Sequence, residues 1–284
     1  MPFASAAGAF RAHWPEYLIE GALLGGFMLS ACLATVACVL PSSPLAQALP
    51  NPLLQRTLIG LAMGFTAIGL IYSPWGKRSG AHMNPAVTIA FAALGKVKGW
   101  DAAFYIMSQF VGGAAGVLLS WLLVGHLMAA PEVGWVVTVP GPDGVGVAFA
   151  AEVAISFGLF LAVLFASNRA RLAPYTGIIA GILVASYIVV EAPFSGMSMN
   201  PARSMATAVV AGNYRAMWLY FTAPPLAMLL AAGVYTVVSR ECGVKCAKLH
   251  HVHGVRCIFR CGWCRHEQPR AGEVGVSSLE MNRT

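Results

Sequence analysis

Ser79-Gly80-Ala81-His82-Met83-Asn84-Pro85-Ala86 and Ser195-Gly196-Met197-Ser198-Met199-Asn200-Pro201-Ala202 repeat one pattern at two points of the chain. In each, Asn stands where a helix N-cap is expected. Pro follows at the first helical position, where its missing N–H costs nothing. A Gly lies about ten residues after each Asn-Pro (Gly95, Gly212), so each predicted helix is roughly 15 Å long, about half the hydrocarbon thickness of a bilayer. The pattern predicts two half-helices that begin at equivalent points of two halves of the chain.

Composition places those halves in a membrane. Of 284 residues, 58% are hydrophobic and only 10% charged, against about one quarter charged in soluble domains. Six apolar stretches are long enough to cross: about Tyr17–Leu40, Thr57–Ser73, Ala102–Met128, Val145–Ser167, Tyr175–Val190 and Ala216–Val238. A soluble bundle would need polar faces that these segments lack. The N-terminal lead has no separate apolar core and cleavage site, so the first stretch is expected to remain as a span. Fifteen of the 18 Lys and Arg residues lie in the lead, in 77–98, at Arg169–Arg171 and in the tail from Arg240. By the positive-inside rule both termini face the cytoplasm. Gly pairs at four-residue spacing, Gly21/Gly25, Gly60/Gly64, Gly112/Gly116 and Gly177/Gly181, occur in four spans and favour close helix packing in lipid.

The repeat reaches beyond Asn-Pro-Ala. Glu20 and Glu152 lie early in the first and fourth spans, each the only acidic residue of its span. A carboxylate in a membrane helix must face the bundle interior and find donors, and the irregular chain leading into each half-helix offers free N–H groups. Both are read as structural braces, with ion coupling as the alternative. The separations Glu20–Asn84 and Glu152–Asn200, 64 and 48 residues, differ by the longer Pro41–Gln55 connection and one extra residue near Pro74–Arg78. Three spans per half is an odd number, so the second half is inverted and the half-helices enter from opposite faces. Their positive N-terminal ends then meet near the midplane. With each cap oxygen engaged by its own helix, the Asn84 and Asn200 NH₂ groups are expected to point into the lumen. Such a centre admits neutral molecules with lone pairs and repels cations.

The two stretches 79–88 and 195–204 resemble the signature loops of the aquaporin and glycerol-facilitator (major intrinsic protein) family, and the likeness extends over about 17–239. The resemblance implies an all-α membrane protein with six transmembrane helices and two re-entrant half-helices in an inverted repeat. It also implies a pore in every subunit of a homotetramer, with no cofactor for transport. The expected organisation is a lead at 1–16, channel repeats at 17–140 and 141–239, and a Cys/His-rich basic tail at 240–284. Carried onto this chain, the family's outer constriction falls on Met63, Ile188, Met197 and Arg203. Gly64 replaces Met63 if no residue is inserted in Pro74–Arg78. This set lacks the His of the water-selective pattern and is more apolar. It favours solutes with both CH and OH surface: glycerol, small alcohols, urea, hydrogen peroxide or neutral metalloid hydroxides, beside water. His82 matches the cytoplasmic-side pore position, or is simply a hydrogen-bonded core histidine. Glu191 reads as an exposed charge closing the fifth span.

The tail gathers Cys242, Cys246, His250, His251, His253, Cys257, Cys261 and Cys264 within 23 residues. Cys242-x₃-Cys246-x₃-His250 would share one helical face, and Cys261-x₂-Cys264 has zinc-site spacing. Cys242, Cys246, His250, Cys257, Cys261 and Cys264 are the candidate ligands of a Zn²⁺ ion. Reduced thiols in a basic segment are the alternative, and disulfides are disfavoured in a reducing compartment. The basic tail also suits anionic lipid. No nucleic-acid partner is expected. Nor is an enzyme, because the one dense ligand cluster lies outside the bundle. A proton-coupled transporter using Glu20 or Glu152 is the competing reading.

Overall fold

The computed structural model describes residues 5–239 and 243–263. Ten α-helices occur among the described residues: α1 Ala6–Val39, α2 Pro44–Ala48, α3 Pro52–Tyr72, α4 Pro74–Ser79, α5 Pro85–Ala93, α6 Gly99–Val124, α7 Gly144–Ser167, α8 Thr176–Ser195, α9 Pro201–Ala211 and α10 Met217–Val238. No strand occurs among the described residues. Among the described residues six helical segments, Ala6–Val39, Pro52–Tyr72, Gly99–Ala129, Gly144–Ser167, Ala173–Ser195 and Met217–Val238, are long and apolar enough to cross a membrane. At nine and eleven residues, α5 and α9 are too short to do so.

Helix contacts follow the duplication. α1 packs on α6 and α7 on α10; α1 on α3 and α7 on α8; α6 on α9 and α10 on α5. Exchanging the halves maps this pattern onto itself, with α3 against α8 as the seam between them. Backbones touch directly at two seams. A Cβ on Gly112 would lie 2.0 Å from the Gly21 carbonyl oxygen, and one on Gly64 would lie 2.7 Å from that of Gly181. The pairs Gly21/Gly25 and Gly112/Gly116 thus pack α1 against α6 backbone to backbone, whereas on the α3 side only Gly64 meets its counterpart Gly181; Gly60 lies against the Ala185 carbonyl and Gly177 against the Tyr72 and Ile71 side chains.

The first helix starts at Ala6, capped by the Ser5 hydroxyl, and so takes in most of the expected lead. Its polar residues are used internally: His13 Nδ1 and Tyr17 Oη lie 2.7 and 2.6 Å from Asp101 Oδ1, and Arg78 Nε donates to Glu16 Oε1 at 3.0 Å. The first repeat breaks at Ser73, whose hydroxyl caps α4, whereas α8 continues unbroken through Pro193 to Ser195. Glu191 thus sits a turn inside α8 and is buried, 5% exposed, rather than forming an exposed helix end.

Candidate functional site

Both half-helices start as the sequence dictates locally. Asn84 Oδ1 accepts from the Ala86 N–H at 2.9 Å; Asn200 Oδ1 accepts from Ala202 and Arg203 at 3.0 and 3.2 Å. The chain entering each is held from behind. Glu20 Oε1 accepts from Ser79 Oγ (2.7 Å) and His82 N (3.0 Å), and Oε2 from Met83 N (2.7 Å). Glu152 repeats this with Ser195 Oγ (2.7 Å), Ser198 N (2.6 Å) and Met199 N (2.8 Å). Tyr105 and Tyr220 hydroxyls donate to the Ser79 and Ser195 carbonyls. Both carboxylates are fully buried, and hydrogen bonds to a charged group of this kind contribute about 1.5–3 kcal/mol each.

Ala81, His82, Met197 and Ser198, in the two segments held this way, line a cavity. The backbone takes a left-handed conformation at Ala81 (φ 55°) and Met83 (49°), and again at Met197 (51°) and Met199 (54°). Non-glycine residues adopt this conformation at a cost, and it persists only where the surroundings impose it.

The cavity, about 250 Å³, runs through the bundle between the two halves. Asn84 and Asn200 meet in it. The Asn84 Nδ2 donates to the Met199 carbonyl and the Asn200 Nδ2 to the Met83 carbonyl, both at 2.7 Å. Each NH₂ has two protons, so one is spent on the opposite loop and one remains for the lumen, fewer than the free amides expected from sequence.

Met63, Ile188, Met197 and Arg203 line the same cavity on the side away from the tail, and Gly64 does not. Gly64 faces α8 instead. The Arg203 Nη1 donates to the Val136 carbonyl at 2.9 Å, in a loop where Trp135 and Val136 both have positive φ. Sequence reasoning missed that anchor, and also Arg56, which lines the cavity with no hydrogen-bond partner for its Nε among the described residues. Arg56 is the sole charge of α3, which was the available signal. His82, 3% exposed, lines the tail side; its Nδ1 lies 3.1 Å from Thr88 Oγ1, its Nε2 2.8 Å from the Ala247 carbonyl oxygen, and its ring stacks between Phe91 and Phe259.

Residues 20–235 match the family described as Major intrinsic protein. The chain belongs to the major intrinsic protein family. This major intrinsic protein is 40% identical over 185 residues to aquaporin NIP6-1 of Arabidopsis thaliana, covering 64% of its own length and 59% of the relative's. It is 38% identical over 175 residues to aquaporin NIP3-1 of Oryza sativa subsp. japonica, covering 61% and 54%. With probable aquaporin NIP7-1 of Arabidopsis thaliana it shares 31% over 226 residues, covering 79% and 78%. The chain thus spans little more than half the length of the first two relatives. Its fold matches the X-ray structure of the aquaglyceroporin from Plasmodium falciparum with a TM-score of 0.65, at 16% identity, over 80% of this chain and 98% of that one.

The tail of this major intrinsic protein is irregular over residues 243–262, so Cys246 and His250 do not share a helical face. Cys246, His251, Cys257 and Cys261 come together instead, their ligand atoms all within 4.8 Å of one another. His250 turns away to pack against the Tyr72 ring, centroids 4.7 Å apart, and burial lowers its pKa. Cys242 and Cys264 lie outside the described residues. The Cys246 thiol shares its proton with Cys257 and Cys261, which raises its own pKa. The same hydrogen bond from Cys246 lowers Cys257 to about 5 in spite of burial.

Proposed function

We propose that the chain is a passive transmembrane channel for water and small uncharged solutes of the glycerol type, closed to protons and ions. The reading rests chiefly on the pair of opposed half-helix N-termini, whose Asn84 and Asn200 side chains meet in one lumen. Two positive helix ends and two amide donors repel cations and orient a passing oxygen. Met63, Ile188, Met197 and Arg203 form the selective constriction, with Arg203 and Arg56 supplying positive charge and the rest an apolar wall that suits CH and OH surface together. His82 lines the pore on the tail side. The likeness to proteins named aquaporins supports this assignment.

Glu20 and Glu152 act as braces rather than proton carriers, since each carboxylate already accepts three hydrogen bonds from the loop it holds. No catalytic role is assigned to any residue. The protein sits in the cell membrane as a homotetramer, with the tail and N-terminus on the cytoplasmic side, as the distribution of Lys and Arg favours. The tail, basic in charge, lies against anionic lipid and carries a zinc site.

Stopped-flow light scattering on proteoliposomes tests the channel. Flux of glycerol and water is expected to rise in proportion to the gradient, without saturation at modest concentration and without pH coupling. Vesicles that shrink no faster than empty ones for every neutral osmolyte would remove the reading.

A further inference from the structure

The described tail makes its contacts across one end of the bundle. Lys245 N donates to Asn168 Oδ1 at the end of α7, Arg260 N to the Lys96 carbonyl after α5, and Arg256 Nη2 to the Ala12 carbonyl of α1. Between these anchors it enters the cavity's mouth. Leu249 lines the cavity and its N–H donates to the Gly80 carbonyl at 3.1 Å. Ala247 supplies the acceptor for His82, and Phe259 covers the His82 ring, centroids 5.3 Å apart and planes 11° from parallel. Lys248, 1% exposed, binds this plug from below: its Nζ donates to the Lys77 and Arg256 carbonyls at 2.7 and 2.6 Å.

The four clustered ligands flank the plug. Cys246 precedes Ala247 directly, and Cys257 precedes Phe259 by two residues. Their spacing in space has the dimensions of a metal site. In a tetrahedral zinc site with Zn–S bonds of about 2.3 Å, neighbouring sulfurs lie about 3.7 Å apart. Here Cys246 Sγ and Cys257 Sγ are 3.6 Å apart, and Cys261 Sγ and His251 Nδ1 3.8 Å. Three thiolates and one imidazole complete four-coordination with no open position, the pattern of a structural rather than a catalytic zinc. Three thiolates on one divalent ion leave a negative charge, and Lys245, Lys248 and Arg256 surround it on the sequence.

We propose that Cys246, His251, Cys257 and Cys261 bind one Zn²⁺ and that this ion locks the tail as a cap over the end of the pore; the cap rests on the channel reading above. The thiols bind as thiolates and their protons pass to solvent. Zinc crosslinks the segments on either side of Ala247–Leu249, so withdrawal of the plug requires release of the ion. An ion that binds only the docked tail, free at about a thousand times its Kd, shifts the docked-to-undocked ratio by about a thousandfold.

The test uses full-length protein and two metals. Purified protein is titrated with Zn²⁺ and with Co²⁺, whose thiolate charge-transfer absorption reports sulfur ligation. One ion per chain is expected, with the band lost in Cys257→Ser/Cys261→Ser. Proteoliposomes are then assayed for glycerol and water flux after loading with Zn²⁺ or treatment with a membrane-permeant chelator. Zinc-loaded vesicles are expected to lose the flux seen after chelation, and Leu249→Ala/Phe259→Ala, which keeps all four ligands, is expected to conduct even when loaded. Failure of the wild-type protein to bind either metal overturns the site. Equal, substantial flux with and without zinc overturns the cap and leaves the channel standing. Flux no faster than empty vesicles after chelation overturns both.

Discussion

The Asn84 Nδ2 donates to the Met199 carbonyl at 2.7 Å, across 115 residues of sequence and between the two halves of the molecule. Asn200 returns the same bond to Met83. The two half-helices are thereby joined at their N-terminal ends, where two like partial charges would otherwise repel. Each amide thus has a joining proton and a lumen proton.

Asn84→Asp tests this division. The new carboxylate keeps the cap acceptor for Ala86, loses the donor to Met199, and brings negative charge to the place where cations are repelled. Every 1.4 kcal/mol removed from the cation barrier is about tenfold in passage, so ion leakage is expected to rise by about tenfold or more. A pH-sensitive dye trapped in proteoliposomes, together with a sodium flux assay, reads the change. Leakage equal to wild type would rule out the proposed electrostatic barrier.

Removal of a brace should unfasten a loop. Glu152→Ala leaves Ser195 Oγ, Ser198 N and Met199 N without their acceptor in a buried setting, at about 1–3 kcal/mol for each group. A marked fall in thermal midpoint is expected in detergent, followed by size-exclusion chromatography after heating. Glu152→Gln, which retains one acceptor oxygen, is expected to fall between the two. An alanine variant as stable as wild type would contradict the bracing role.

The glycine seams predict opposite signs for two similar substitutions. A Cβ on Gly112 would meet the Gly21 carbonyl at 2.0 Å, backbone that cannot yield, whereas one on Gly69 meets nothing within 4 Å. Gly112→Ala should destabilise by about 1–3 kcal/mol through overpacking. Gly69→Ala should stabilise by up to about 1 kcal/mol through helix propensity. Thermal unfolding of the two variants, measured side by side, decides the matter.

Ile188→His places a polar ring in the cavity that Arg203 also lines. Glycerol flux is expected to drop at least several-fold while water flux persists, measured in the same vesicles. Unchanged selectivity would remove Ile188 from the proposed constriction.

The half-helices were legible because caps are local: Asn-Pro at the start and a left-handed Gly at or next to the end need no tertiary context. Glu20 and Glu152 were legible because the repeat placed each opposite an equivalent loop. Arg56 and the lumen-facing stripe of α3 were harder to see, since helices apolar on every face offer no amphipathic contrast to mark which side lines a cavity. The start of α1 at Ala6 was hidden for a related reason: His13 and Glu16 look like residues of a solvated lead, yet they pair with Asp101 and Arg78 inside the protein. The tail was least readable. Its ligands were visible as a composition, but the exchange of His250 for His251 depends on an irregular backbone and contacts with α3, α4 and α7 that no periodicity encodes.

Where α1 meets α6 at Gly21/Gly112 and Gly25/Gly116, and α3 meets α8 at Gly64/Gly181, the chassis rests main chain on main chain. Met63, Ile188 and Met197 line the cavity instead. In the proposed channel, exchange of these residues retunes what flows through while those main-chain contacts stay in place.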